Sequence, residues 1–324
     1  MSTLVTRPAA ALRRAASPAA APGRREGLRR AWRRNGAGYL FLLPWLVGFF
    51  GLTLGPTLAS LYLSFTNFDL LTPPRWIGLE NYVYMFTLDP RFRQALEVTF
   101  TYVLWSVPLK LIVALALAMM LDKGIRGVGV YRALFYLPSL LGASVAIAVL
   151  WRQLFSREGI VNQLLAVVGY QGEAWLHHPD YALYTLVILA VWQFGSPMVI
   201  FLAGLRQIPT DLYEAAAMDG ASKRRQFLKI TLPLLAPVIF FNLVLQTIEA
   251  FKAFTQAFIV SAGTGGPIDS TLFYTLYLYQ EAFANFRMGY AAALAWVLLV
   301  IIGIFTALAF LTSKYWVYYE DSRS

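Results

Sequence analysis

The chain has no cysteine among its 324 residues. That excludes disulfides, thiolate zinc sites, cysteine-ligated iron–sulfur clusters and a cysteine nucleophile. Charge is scarce as well: charged residues make up 14% of the chain, against 58% hydrophobic ones. Histidine is limited to His177 and His178. Two adjacent histidines do not share a helix face, and no nearby acid or cysteine in the sequence completes a site. They read as solvent-exposed residues rather than metal ligands. The chain has no H-E-x-x-H pattern and no serine with a plausible base, so no catalytic residue is assigned. It also lacks a G-x-x-x-x-G-K-[ST] phosphate loop; the glycine-rich "GTGGPIDST" of 263–271 has no lysine.

What the chain does have is long apolar runs. Several approach or exceed ~18 predominantly apolar residues, the length a helix needs to cross the hydrocarbon core. The runs are continuous rather than alternating, which argues against a membrane barrel. The expected fold is therefore an all-α membrane protein with six transmembrane helices, near 38–65, 96–121, 131–151, 182–205, 232–257 and 289–312. Pro44, Pro56, Pro108, Pro138, Pro197 and Pro237 fall inside or at the ends of these spans. Membrane helices accept such prolines where neighbours re-satisfy the freed carbonyls.

The net charge of +10 is unevenly spread, with nine arginines in the first 34 residues and Glu26 as the only acid there. Residues 1–35 read as a disordered basic tail beside anionic headgroups. A nucleic-acid arm or an organelle transit peptide shares that composition, but nucleic acid is not an expected partner. A cleaved signal peptide is not expected, because the apolar run after Gly38 is too long and no small-residue cleavage site follows it. With the N-terminus in the cytoplasm, the inside segments hold 19 Lys plus Arg and the outside segments hold 7. By the positive-inside rule both termini are cytoplasmic, and so is the loop over 206–231. The domain reading is a tail at 1–35, a six-helix membrane domain at 36–315 and a short cytoplasmic tail at 316–324. The "GTGGPIDST" stretch then lies outside the cell.

The cytoplasmic loop "IPTDLYEAAAMDGASKRRQFLKI" is a compact elbow. Asp211 is placed to cap a helix, with Glu214 three residues on reaching back as in a capping box. Both acids suit a helix N-terminus. Ala215, Ala216 and Ala217 favour helix and leave a flat surface. Gly220 ends that helix in a left-handed cap. Ser222 caps the next helix, which carries Lys223, Arg224, Arg225 and Lys229 at headgroup level. From the residues alone two readings stand: a docking face for a partner, or an ordinary amphipathic interfacial helix.

The spacing E-A-A, three residues, Gly, nine residues, I-x-L-P is met by Glu214–Ala215–Ala216, Gly220 and Ile230–Leu232–Pro233. This resembles the cytoplasmic loop of the membrane subunits of ATP-binding-cassette importers. The form "EAAAMDGA" is most similar to the carbohydrate branch, the maltose- and glycerol-3-phosphate-type permeases. "WIGLENYVYMF", "YRALFYLPSLL", "VWQFGSPMVIFLAGL" and "SAGTGGPIDSTLFYTLYLYQEAF" are also similar to that branch. The likeness covers most of the chain after about residue 38.

The resemblance implies a coupling helix in which Glu214, Ala215, Ala216, Asp219 and Gly220 sit in a groove of a cytoplasmic ATPase dimer. That dimer, and not this chain, would bind ATP and magnesium. It also implies a second permease subunit, an extracytoplasmic solute-binding protein, a sugar-like substrate and a bacterial or archaeal inner membrane. ATPase closure would rock the helices around a midplane site.

Polar residues within spans are the substrate-pathway candidates. Asn242, Gln246 and Glu249 lie at i, i+4 and i+7 on one helix face. They suit sugar hydroxyls, or equally serve as glue against the partner permease. Trp192 and Gln193 precede Ser196 and Pro197; the indole either stacks on a sugar ring or packs and anchors. Lys110 lies near mid-span beside Pro108. It snorkels, pairs with an acid of the partner subunit, or meets an anionic substrate, with Glu249 set apart by depth. The alternative function is a self-sufficient secondary transporter. It would need internal repeats and intramembrane acids for ion coupling, and Glu249 is the one clear acid.

Overall fold

The computed structural model describes residues 38, 40–123, 127–142, 144–170 and 172–317. The basic tail at 1–35 and most of the expected C-terminal tail lie outside the described residues. The chain divides into two units, residues 1–59 and 60–324. In the first, the helical run α1 (Leu40–Ser64) begins; its apolar side chains are exposed, among them Phe41 and Leu52. Trp45 and Phe49 stack one turn apart, and Phe49–Leu54 widens into a π-turn just before Pro56.

The second unit opens with a two-stranded antiparallel hairpin, β1 (Thr66–Asn67) and β2 (Arg75–Trp76). Asn81 of the short helix α2 (Glu80–Thr87) fastens it by donating to the carbonyls of Ser64 and Thr66. The central element is α3 (Pro90–Asp122), 33 residues long. Its start is locally determined. Asp89 accepts from the amide of Phe92, and Pro90 occupies the first turn, where its missing N–H costs nothing. At ~1.5 Å per residue α3 measures roughly 50 Å, more than a bilayer core.

Two of the expected spans are broken rather than continuous. Over 131–151 the chain forms α4 (Val128–Leu141) and α5 (Val145–Leu154), bent by more than 40°. Pro138 weakens the end of α4, and Ser144 starts α5 by capping the amide of Ile147. Over 182–205 it forms α7 (Pro179–Trp192) and α8 (Gly195–Leu205), bent by 41°. There the break frees polar backbone groups, and Ser139 of α4 satisfies two of them. Its hydroxyl donates to the carbonyl of Gln193 and accepts from the amide of Ser196, each at 2.9 Å. The short helix α6 (Ile160–Val167) links these pairs.

Beyond α8 come α9 (Thr210–Met218), α10 (Lys223–Gln226), a π-turn at Phe227–Thr231 and α11 (Leu232–Phe251). The fifth expected span, 232–257, is interrupted: α11 ends at Phe251, and α12 (Thr255–Val260) follows a short break. Then α13 (Tyr274–Tyr279) leads into α14 (Met288–Trp316). Among the described residues four helical runs are long and apolar enough to cross a membrane, Lys223–Val260 counted as one of them, and as many as six spans result if each bent pair counts as one.

The core is built around α3, which packs against α7, α8 and α11. Val107, Leu111, Ala114 and Ala118 on α3 meet Leu186, Leu189, Met198 and Phe201 of the α7–α8 pair within one buried cluster. The outer flank of α14 stays bare, with Val300, Ile304, Leu308 and Leu311 exposed. In water that would be a liability; in lipid it is the expected outer surface.

Candidate functional site

The elbow over 209–231 forms from local rules. Pro209 holds an extended backbone and α9 starts at Thr210, with no side-chain cap bond. The expected capping box at Asp211 and Glu214 is therefore not formed. The helix begins earlier than that box requires, and Asp211 lies inside the first turn, where its charge still meets the positive helix end. Gly220 does take the left-handed conformation, with φ +75°. The amide of Ala221 then reaches back to the carbonyl of Ala216, which closes the end of α9. Ser222 caps α10 by accepting from the amide of Arg225.

Bonds within the elbow fix its shape, and one ion pair beside it reaches the bundle. The hydroxyls of Tyr213 and Thr231 bond at 2.9 Å. Buried Gln226 donates to the carbonyls of Tyr213 and Ala221. Arg206, just before the elbow, pairs with Asp122 at the end of α3, 3.7 Å apart. Everything else on the outer side is bare: Glu214, Ala215, Asp219 and Gly220 are exposed, Ala216 is partly so, and Met218 is 89% exposed. Among the described residues Glu214 and Asp219 make no ion pair. The small side chains of Ala215 and Ala216 leave the backbone open to close approach.

The substrate-pathway candidates are brought together in part. A cavity of about 440 Å³ is lined by Lys110 of α3, Gln193 at the α7–α8 break, and Gln246 and Glu249 of α11. Lys252, Gln256 and Ser139 also line it. Lys252 places its Nζ 2.8 Å from the Glu249 carboxylate, so the cavity carries one paired charge and one further cation. Among the described residues no carboxylate lies within hydrogen-bonding reach of Lys110. Lys110 and Glu249 share this cavity, so the difference in depth that set them apart in the sequence does not separate them. The cavity is long enough to reach both.

Two candidates lie elsewhere. Asn242 shares a helix face with Gln246 but is fully buried below the cavity. Its amide donates to the carbonyl of Val238 one turn earlier, and its own carbonyl oxygen has no partner among the described residues. Trp192 turns toward Trp151, ring centroids 6.3 Å apart, and packs rather than lining the cavity. The histidines also differ from expectation. His177 is exposed, but His178 is partly buried, caps α7 at the amide of Asp180 and stacks on Tyr181. Asp180 is thus the nearby acid, with its carboxylate 3.7 Å from the imidazole. Among the described residues no group of three or more His, Asp or Glu could hold a metal ion.

One polar web was not foreseen. At the end of the bundle away from the elbow, buried Asp89 accepts from the hydroxyls of both Tyr277 and Tyr290. Arg91 grips Asp269 through two bonds of 2.9 Å each. Buried Glu281 holds Asn285 and Arg287, and the Arg287 guanidinium lies over the rings of Tyr84 and Tyr290. Burial first, and then the bond to Asp89, hold the Tyr277 hydroxyl above its ordinary pKa, so it remains a donor. The one sequence signal for this web was the density of aromatic and charged residues in 76–93 and 277–290.

A family model described as the binding-protein-dependent transport system inner membrane component matches residues 84–315. The chain is 55% identical over 290 residues to a probable ABC transporter permease protein, YesP of Bacillus subtilis, covering 89% of this chain and 94% of that protein. It is 33% identical to the lactose transport system permease protein LacF of Rhizobium radiobacter, over 90% of this chain and 97% of the relative. It is 32% identical to the arabinooligosaccharides transport system permease protein AraP of Bacillus subtilis, over 84% and 86%. Among solved structures, the fold is similar to a chain of a bacterial ABC transporter involved in import of the acidic polysaccharide alginate. The TM-score is 0.72 at 23% identity, over 89% of this chain and 98% of that one. A second crystal structure, the alginate transporter with an alginate pentasaccharide-bound periplasmic protein, gives a TM-score of 0.75 at 21% identity, over 88% and 96%.

Proposed function

The chain belongs to the binding-protein-dependent transport system inner membrane component family, and on that premise we propose that it is one of two membrane subunits of an ATP-driven importer for a sugar or sugar-like solute. In this reading each bent helix pair is one span, giving six, and both termini and the elbow lie in the cytoplasm of a bacterial or archaeal cell. An extracytoplasmic binding protein delivers the solute. A separate ATPase dimer binds ATP and magnesium and docks on the elbow through Glu214, Ala215, Ala216, Asp219 and Gly220. The second permease subunit completes the path.

The observation that carries the reading is the elbow itself. Its acids and alanines are turned outward, while Tyr213 and Gln226 spend their polar groups on bonds within the elbow that fix its shape. An elbow of that kind transmits force: a partner pulling on α9 moves α11 through the rigid turn at Gly220. The central cavity suits a polyol, since Gln193, Gln246 and Gln256 offer both donors and acceptors. The sugar assignment follows the lactose and arabinooligosaccharide relatives. A self-sufficient secondary transporter is not favoured, because the relatives that match nearly end to end are transport-system permeases.

The test is co-purification in detergent with the products of neighbouring genes. Wild type is expected to retain an ATPase, and Glu214→Lys and Gly220→Pro to lose it. Equal retention by both variants would remove the docking assignment.

A further inference from the structure

Lys110 is a charge to which the transport reading gives no role. The nearest charged residues of α3 on either side are Glu97 and Asp122, 13 and 12 positions away. At ~1.5 Å per residue these are separations of roughly 18–20 Å, farther than a lysine side chain reaches. Residues 111–121, between Lys110 and the elbow end of α3, are all apolar. The ammonium is therefore not carried out to headgroups at either end. Lys110 also avoids the bare flank of α3, where Trp105, Leu109 and Ile112 are exposed. It stands one turn from buried Ser106, and both line the central cavity.

The charges on that cavity wall do not balance. Lys110 and Lys252 are positive and Glu249 is negative, which leaves a net charge of one positive unit. Lys252 already occupies Glu249, with Nζ 2.8 Å from Oε1. The rest of the polar wall is neutral, chiefly Gln193, Gln246 and Gln256. The Ser106 hydroxyl has no hydrogen-bond partner among the described residues. A cation inside a membrane bundle is costly unless an anion pairs with it. A neutral sugar would satisfy the amides and the hydroxyl but leave that cost in place. One carboxylate removes it. A phosphate monoester, at about −1.5 to −2 charges, would overshoot it.

We propose that the solute is an acidic saccharide of the uronic-acid class, and that Lys110 receives its carboxylate in the central cavity. This rests on the transport reading above and names the class of solute within it. Ser106 and Lys110, at i and i+4, present a hydroxyl and an ammonium from one helix face. They are two donors for the two oxygens of a carboxylate. The glutamines take the ring hydroxyls. The Lys252–Glu249 pair stays internally neutral.

The absence of natural cysteine in this chain makes a direct test simple. A single reporter, Gln246→Cys, is placed in the complete transporter without nucleotide, with the reporter-free complex as background. Two small thiosulfonates, one anionic and one cationic, are compared for rate, each relative to its rate with a free thiol in solution. The anionic reagent is expected to be favoured, and Lys110→Gln to lower the anion-to-cation ratio by roughly tenfold or more. Protection is then measured with an uncharged thiol reagent. Glucuronate is expected to slow labelling more than equal concentrations of glucose or glucose 6-phosphate. Lys110→Gln should abolish that difference and Lys110→Arg should keep it. The proposal is overturned if the parent favours the cationic reagent or neither reagent, if glucuronate protects no better than glucose, or if glucose 6-phosphate protects better than glucuronate. It is also overturned if Lys110→Gln leaves the ratio unchanged, as it would were an acid of the second permease subunit already paired with Lys110. The parent measurements need no Lys110 variant, so they decide the matter even if Lys110→Gln does not assemble. None of them needs ATP, so failure of the elbow to hold an ATPase would be seen separately.

Discussion

The two ends of the bundle treat their polar residues in opposite ways. At the end remote from the elbow, Asp89, Glu281 and Asp269 are each taken up by tyrosines or arginines of other elements. At the elbow end, Glu214 and Asp219 face outward with no ion-pair partner among the described residues. A buried acid with two hydroxyls on it belongs to the fold, because removing it strands polar groups in a dry place. An exposed acid on an alanine-rich face adds little to the fold, so it is available to something outside the chain. The comparison therefore separates residues that hold the molecule together from residues that the molecule offers.

The largest effect on the fold is expected from Asp89→Ala. It leaves the hydroxyls of Tyr277 and Tyr290 without their acceptor and uncaps α3, a loss of roughly 2–4 kcal/mol from two unsatisfied buried groups. Thermal unfolding in detergent would show it, and an unchanged midpoint would break the contrast between the two ends. Next is Gly220→Ala. A side chain in the left-handed region costs about 1–2 kcal/mol, so a small shift in unfolding should accompany a large loss of ATPase retention. Loss of stability and retention in equal proportion would mean that the elbow is merely structural. Smallest is Arg206→Ala. Its pair with Asp122 is about half exposed and 3.7 Å long, so its removal should cost less than ~1 kcal/mol. A larger loss would place the elbow end among the fold-determining regions.

Local chemistry in the elbow was readable from the sequence because its causes lie a few residues apart. Gly220 ending one helix and Ser222 starting the next need no distant partner. Where local rules compete, the reading slipped: Pro209 started α9 early and left the Asp211–Glu214 box unformed. The breaks between α4 and α5 and between α7 and α8 were hidden for another reason. An apolar run looks the same whether or not it bends, and the group that satisfies the second break, Ser139, is 54 residues from Gln193. The web at Asp89 was still less legible, since its tyrosines lie 188 and 201 residues away. In the cavity, helical periodicity correctly placed Gln246 and Glu249 together. It could not show that neighbouring helices close over Asn242 one turn below.

The most direct test of the central claim sets one elbow variant against one cavity variant in the assembled transporter. Glu214→Lys and Gln246→Ala are compared for ATPase retention and for uptake of the sugar that the cognate binding protein carries. The account predicts that Glu214→Lys loses both, whereas Gln246→Ala keeps the ATPase and lowers uptake several-fold. If Gln246→Ala sheds the ATPase, or Glu214→Lys keeps it and transports normally, the division between an offered elbow and a solute-binding interior is wrong.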